Sequence, residues 1–285
     1  MRLNSGHLSF FIREFAFAVK REAGSKRLGA LIYFKMMLVA PLLESIAFLL
    51  APSKVGDASR RWLSVMRRDA VRDVYGVYLD FDVQYPPDMI WGDYDKEPSF
   101  LPSFGSAVLD VGANIGDYSI VVARYYGCRV LSIEPSPSAF ALLLKNIASN
   151  GLPDRVHPLN LALSDTEGEK EMSISERWGY VIDSELEGNS VNVRTTTLDA
   201  LFDGDRFMQI QLVKVDVEGS ELAVLRGGKS YFATHKPKLI IEVHSNELRQ
   251  SIMDFMLSLN YNLIREKLNF PSLGISVLYF IHAGR

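Results

Sequence analysis

Cys128 is the only cysteine in 285 residues. Neither an intramolecular disulfide nor a thiolate metal cage can form, and a reducing compartment fits. Glycine-x-serine-x-glycine elbows and HExxH pairs are also missing, which leaves hydrolase readings without their chemistry. There are no internal repeats and no low-complexity tracts. The longest apolar stretch, residues 28–52, is interrupted by Lys35, Pro41 and Glu44, and a membrane centre penalises such charges, so a span is not expected. Nor is a signal peptide, because Arg13 and Glu14 cut the first apolar run. A formal net charge of −3 with 48% hydrophobic residues excludes wholesale disorder and gives no reason to expect a nucleic-acid partner.

What is present is unevenly distributed. Residues 1–68 hold 12 Lys and Arg against 4 Asp and Glu, a net of +8, which leaves 19 against 30, or −11, in the remainder. Two different jobs are implied. We expect residues 1–75 to form a basic, apolar helical segment, either packed as accessory helices or lying on an anionic membrane surface, and residues 76–285 to form the main domain. A cytoplasmic protein is expected, with peripheral membrane association through that segment as the variant.

Beyond residue 100, strand-like and helix-like stretches alternate. SAVLDVG, CRVLSIEP, HPLNLALS, IQLVKVDVEG and PKLIIEVHS read as five strands, DYSIVVARYYG and SAFALLLKNIASNG as helices between them, and residues 245–260 as a later helix. YNLIRE and SVLYFIHA read as a closing antiparallel hairpin, and the stretch 164–190 as an irregular insertion. Repeated strand–helix–strand units predict an α/β, doubly wound, Rossmann-like and mostly parallel sheet, with ligands at the carboxyl ends of the strands where the strand order reverses.

The first strand runs through Asp110 into two glycines, Gly112 and Gly116. In a dinucleotide site such a turn brings backbone N–H groups and a helix N-terminus to a pyrophosphate, which an adjacent carboxylate would repel. Asp110 therefore points to a cationic ligand. Glu134 closes the second strand, where the fold presents an acceptor to both hydroxyls of a ribose, and Asp117 follows the glycines. An acid-lined pocket with a ribose acceptor and no phosphate clamp suits S-adenosyl-L-methionine, which carries a sulfonium and an ammonium but no phosphate.

Residues 108–244 resemble the FkbM family of class I S-adenosylmethionine-dependent methyltransferases. VLDVGANIGDYS is similar to its cofactor motif, SIEPSP to its ribose strand, LVKVDVEGSELAVLRGG to its most specific signature and PKLIIEVH to the stretch that follows. The resemblance implies Asp110, Gly112, Asn114, Gly116 and Ser119 around the methionine moiety and Glu134 on the ribose. It also implies Asn160 and Ala162 beside the adenine, in a loop after the third strand, with Asp165 a weaker candidate there.

Strand alternation sends Lys214, Asp216 and Glu218 to one face of the fourth strand and Glu242 and His244 to one face of the fifth, near the transferable methyl group. Methyl transfer to oxygen needs positioning and, for a hydroxyl, a base. His244, oriented by Glu242 or Asp216, is the first choice and Asp216 the second, with no metal assigned. A structural ion-pair cluster in which Lys214 and Glu218 neutralise one another is the competing reading, and a divalent metal on Asp216, Glu218, Glu242 and His244 a third. Asp199 is expected to cap the short helix that follows it, and Trp91, Trp178 and Tyr180 to be core rather than acceptor platforms. The function expected is O-methylation of a hydroxyl on a small molecule, glycan or lipid-linked sugar. Two alternatives share the pocket: an aminopropyltransferase-like enzyme, and a non-catalytic cofactor-binding protein anchored by its N-terminus.

Overall fold

The computed structural model describes residues 98–175, 179–182, 190–203, 209–270 and 274–284, all within the second of two compact units, Val71–Arg285. Residues 1–75, with the apolar run 28–52, lie outside the described residues, as do Trp91 and Trp178 and the side chain of Tyr180. Among the described residues no helix is long and apolar enough to cross a membrane.

Seven strands form the main sheet: β1 (Ala107–Val111), β2 (Arg129–Ile133), β3 (Val156–Leu159), β8 (Ile210–Val215), β9 (Lys238–Val243), β10 (Tyr261–Phe270) and β11 (Ile275–His282). Their order is β10-β11-β9-β8-β1-β2-β3. The five from β9 to β3 are parallel, and β11 runs antiparallel between β9 and β10. The order reverses between β1 and β8, so the carboxyl ends of these two strands border the crevice where this architecture binds ligands. The predicted doubly wound sheet with its closing hairpin is what forms.

Helices α1 (Asp117–Tyr126) and α2 (Pro137–Ser149) cover one face. On the other are α3 (Leu198–Leu201), α4 (Glu221–Gly227), α5 (Lys229–His235) and α6 (Asn246–Ser258). Side chains of successive strand residues point to opposite faces. Val108, Val130, Leu212 and Ile240 therefore pack against α1 and α2, while Leu109, Leu131, Val213 and Ile241 pack against the other helices. That parity has a functional consequence: Asp110, Glu134, Lys214, Asp216, Glu242 and His244 all share the even-numbered register of the α1 side, at or just past the strands' carboxyl ends.

Local chemistry sets the helix starts. Ser136 caps α2 by accepting from the Ala139 N–H at 3.3 Å, with Pro137 at the first helical position. α1 begins after Gly116, at φ +92°, without a side-chain cap.

Two expectations change. The stretch 164–190 contributes to a second sheet of order β4-β7-β5-β6, made by β4 (Ala162–Leu163), β5 (Gly168–Ser175), β6 (Gly179–Ile182) and β7 (Ser190–Thr196). Among the described residues of that stretch, β5 and β6 pair antiparallel and Met172 is buried, so this part is regular sheet rather than an irregular insertion. Asp199 does not cap α3. Thr197 does, accepting from the Ala200 N–H at 3.0 Å, while Asp199 accepts from the N–H groups of Ser230 and Tyr231 at 3.1 and 2.7 Å and so caps α5. Sequence distance hid this, because the two helices meet only in the fold.

Candidate functional site

The turn after β1 is shaped by close backbone packing. Gly112 has φ +78°, and a Cβ there would stand 1.8 Å from the carbonyl oxygen of Asp216. The loops leaving β1 and β8 thus touch backbone to backbone, which only glycine permits. Gly112→Ala is expected to cost about 2 to 3 kcal/mol through overpacking and left-handed strain, read as a lower denaturant midpoint. A parental midpoint would mean that the two loops separate freely.

Asp110 is fully buried. It accepts from the Ser119 hydroxyl at 2.5 Å, Ser119 lies 2.7 Å from the Ser132 hydroxyl, and the Lys214 ammonium stands 3.3 Å from the second Asp110 oxygen. Lys214 also donates to the Gly112 carbonyl at 3.2 Å and pairs with Asp216 at 3.4 Å. Burial pulls the Lys214 pKa down, yet the charges of Asp110 and Asp216 outweigh it and hold the ammonium well above its usual range. Asp110, expected to face a cationic ligand, has Lys214 of this chain as an ion-pair partner. The pairing of Lys214 with Glu218 is corrected, since Asp110 and Asp216 are its partners.

Asn114 and Glu134 face one another across the turn. Asn114, at φ +51°, donates its N–H to Glu134 Oε2, and Ser136 donates its N–H to Oε1, both at 2.8 Å. Each oxygen keeps a lone pair for a further donor. Burial raises the Glu134 carboxyl to about 7, although the N–H groups of Ser136 and Asn114 and the charge of Lys214 oppose it. Asn114 Oδ1 is buried and accepts no hydrogen bond among the described residues. An orphaned acceptor of this kind fits a polar, donor-bearing ligand.

Asn160 donates its amide to the carbonyls of Glu134 and Pro135 at 2.8 and 3.0 Å, tying the exits of β2 and β3 together. Ala162 is buried in β4 and pairs with Thr195, so it stands in a strand and not in a loop. Asp165 is 3.8 Å from Lys170.

The second half of the site lies past the ends of β8 and β9. Glu218 adopts φ +52°, uncommon for a residue with a side chain, and its carboxylate lies 3.2 Å from His244 Nε2. Asp216 lies 3.9 Å from the same nitrogen. His244 Nδ1 is 2.8 Å from Glu221 Oε1, which also accepts from the N–H groups of Gly219 at 3.0 Å and Val217 at 3.4 Å. Glu221, fully buried, is therefore the residue that orients His244, in place of the expected Glu242 or Asp216. It was missed because an acid in the first turn of a helix is explained by the helix dipole alone. Its position three residues after Glu218, in VEGSE, was the available signal. Burial lowers the affinity of His244 for a proton, but Glu221, Glu218 and Asp216 together raise it, and burial raises that of Glu218. The surrounding carboxylates therefore favour the protonated ring. It acts as a base only once the Nε2 proton is removed. Glu242 is buried at the end of β9. Asp216, Glu218 and His244 each offer one ligand atom, all within 4.8 Å of one another.

The methyltransferase FkbM domain matches residues 110–263, more than half of the chain. The hexuronic acid methyltransferase AglP of Haloferax volcanii is 30% identical over 201 residues, covering 65% of this chain and 80% of that protein. The methyltransferase sdnD of Sordaria araneosa is 28% identical over 193 residues, covering 56% and 74%. A methyltransferase FkbM structure from Methylobacillus flagellatus is 20% identical with a TM-score of 0.51, over 66% of this chain and 46% of that one, a likeness of fold. The matched span begins at Asp110 and takes in the glycine turn, Glu134, the Asp216–Glu221 loop and His244, and on that basis the chain belongs to the FkbM family of methyltransferases.

Proposed function

We propose that this methyltransferase binds S-adenosyl-L-methionine at the Gly112–Gly116 turn and methylates a hydroxyl of a small molecule or glycan. The observation that carries the reading is Glu134, held at the end of β2 by one backbone N–H on each oxygen, across from the unpartnered Asn114 Oδ1. This arrangement suits a ribose diol on the carboxylate and an ammonium or hydroxyl donor on the amide oxygen. When bound, S-adenosylmethionine supplies the methyl group on its sulfonium. The residues of this chain bind and orient it and manage the acceptor's proton: Asp110, Ser119 and Lys214 hold the wall, Asn160 braces the ribose side, and Asp216 and His244 stand where the acceptor hydroxyl is expected. A sugar-like acceptor is supported by the hexuronic acid named for the Haloferax volcanii relative.

Calorimetry with S-adenosylhomocysteine and with NAD tests the cofactor assignment, and tighter binding of NAD would overturn it. Because a ribose diol needs an ionised acceptor and burial raises Glu134 to about 7, affinity is expected to rise as pH increases through that value. Glu134→Gln should bind more weakly and lose the pH dependence, since a charged hydrogen bond is worth about 1.5 to 3 kcal/mol. A pH-independent parent protein would remove Glu134 from the ribose.

A further inference from the structure

We propose that Asp216, Glu218 and His244 hold a divalent cation of the Mg2+ or Mn2+ type beside the methyl-transfer site. The inference deepens the methyltransferase reading by naming what its acceptor side binds. It stands on three features of the cluster. First, the donor atoms are of mixed type and face one another: His244 Nε2 lies 3.2 Å from a Glu218 oxygen and 3.9 Å from an Asp216 oxygen. A cation about 2.1 to 2.3 Å from each ligand spans such separations without moving the strands. Second, the ring is braced from behind by a carboxylate that is not itself among the three ligands. Glu221 bonds Nδ1 at 2.8 Å, which leaves Nε2 as the coordinating atom once the cation displaces its proton to water, the arrangement by which metal-binding imidazoles are usually oriented. Its other oxygen, Oε2, is buried without a hydrogen-bond partner. This fully buried carboxylate is set against the ring, and a negative group in that place gains from positive charge carried by the ring or by an ion on it. Third, the three ligand side chains keep 15 to 23% of their surface exposed, so an ion can enter and retain open coordination positions for water or an acceptor oxygen.

The loop is built for this convergence. Asp216 and His244 sit just past the ends of adjacent parallel strands, with Val215 paired to Ile241. Glu218 is brought back toward them by a left-handed backbone conformation that L-residues seldom adopt. In this site His244 is a ligand, and a hydroxyl bound at an open position loses its proton to water more readily because the cation stabilises the alkoxide.

Mn2+ alone, added to the full chain without cofactor or acceptor and followed by the electron paramagnetic resonance of the free ion, tests the site directly. One bound ion per chain is expected, displaced by excess Mg2+. Asp216→Asn, Glu218→Gln and His244→Ala should each weaken binding at least tenfold, and Glu221→Gln, which touches no ion, by about 10- to 100-fold. The exposed Glu169→Gln should leave it unchanged. Thermal midpoints identify any variant that fails to fold, and Glu218→Gln, in a solvent-reached turn, is the least disruptive of the set. No bound Mn2+, or equal binding by the parent and folded Glu218→Gln and His244→Ala, overturns the proposal. Methyl transfer that persists in chelator with no bound ion would sink this inference alone, whereas Mn2+ binding without S-adenosylmethionine binding would sink the cofactor reading alone.

Discussion

His244→Ala is expected to lower kcat by about 10²- to 10⁴-fold while leaving affinity for S-adenosylhomocysteine near the parental value. The magnitude is that of losing a positioned proton acceptor, and a lost cation ligand acts in the same direction. Affinity is spared because Asn114 and Glu134, the groups proposed to hold the cofactor, lie at the ends of β1 and β2, whereas His244 is held from α4 through Glu221. Once the acceptor is identified by a labelled methyl group, single-turnover kinetics separate binding from chemistry. Chelation then divides the two roles of the ring: a cation ligand predicts loss of parental activity in chelator and recovery on adding Mg2+, and a free base predicts no response. Full activity in His244→Ala would remove the residue from the reaction and leave proximity as the main source of rate.

Asp110→Ala is expected to destabilise the protein by about 3 to 5 kcal/mol, the usual cost of leaving one member of a buried ion pair alone. Lys214 is 4% exposed and Asp110 not at all, so water cannot take over the lost interaction. Because Asp216 and the Gly112 carbonyl still contact the ammonium, the lower end of that range is the more apt. Urea unfolding measures it, and the double variant Asp110→Ala with Lys214→Met should recover part of the loss, since removing both charges removes the unpaired one. Additive single and double losses would show that the pair is not coupled. Cofactor affinity should also fall, because Lys214 bonds the turn that carries Gly112.

Much of this was legible in one dimension because the signals are local. Short apolar runs marked β1, β2, β8 and β9, and strand parity placed Lys214, Asp216, Glu242 and His244 on one side of the sheet, while Glu218, expected there too, lies in a turn past β8 at φ +52°. The Gly112 and Gly116 turn and the acid ending β2 pointed to the proposed cofactor site through backbone rules that act within a few residues, and the VDVEGSE stretch disclosed the family. Tertiary structure decided which charges answer one another. Asp110 meets Lys214 only because β1 and β8 pair in the register that sets these two side by side. Glu221 reaches His244 only because α4 starts where β9 ends, and Asp199 caps α5 for the same kind of reason. Electrostatic partnership depends on distances of about 3 Å between atoms remote in sequence, and chain folding alone fixes those distances.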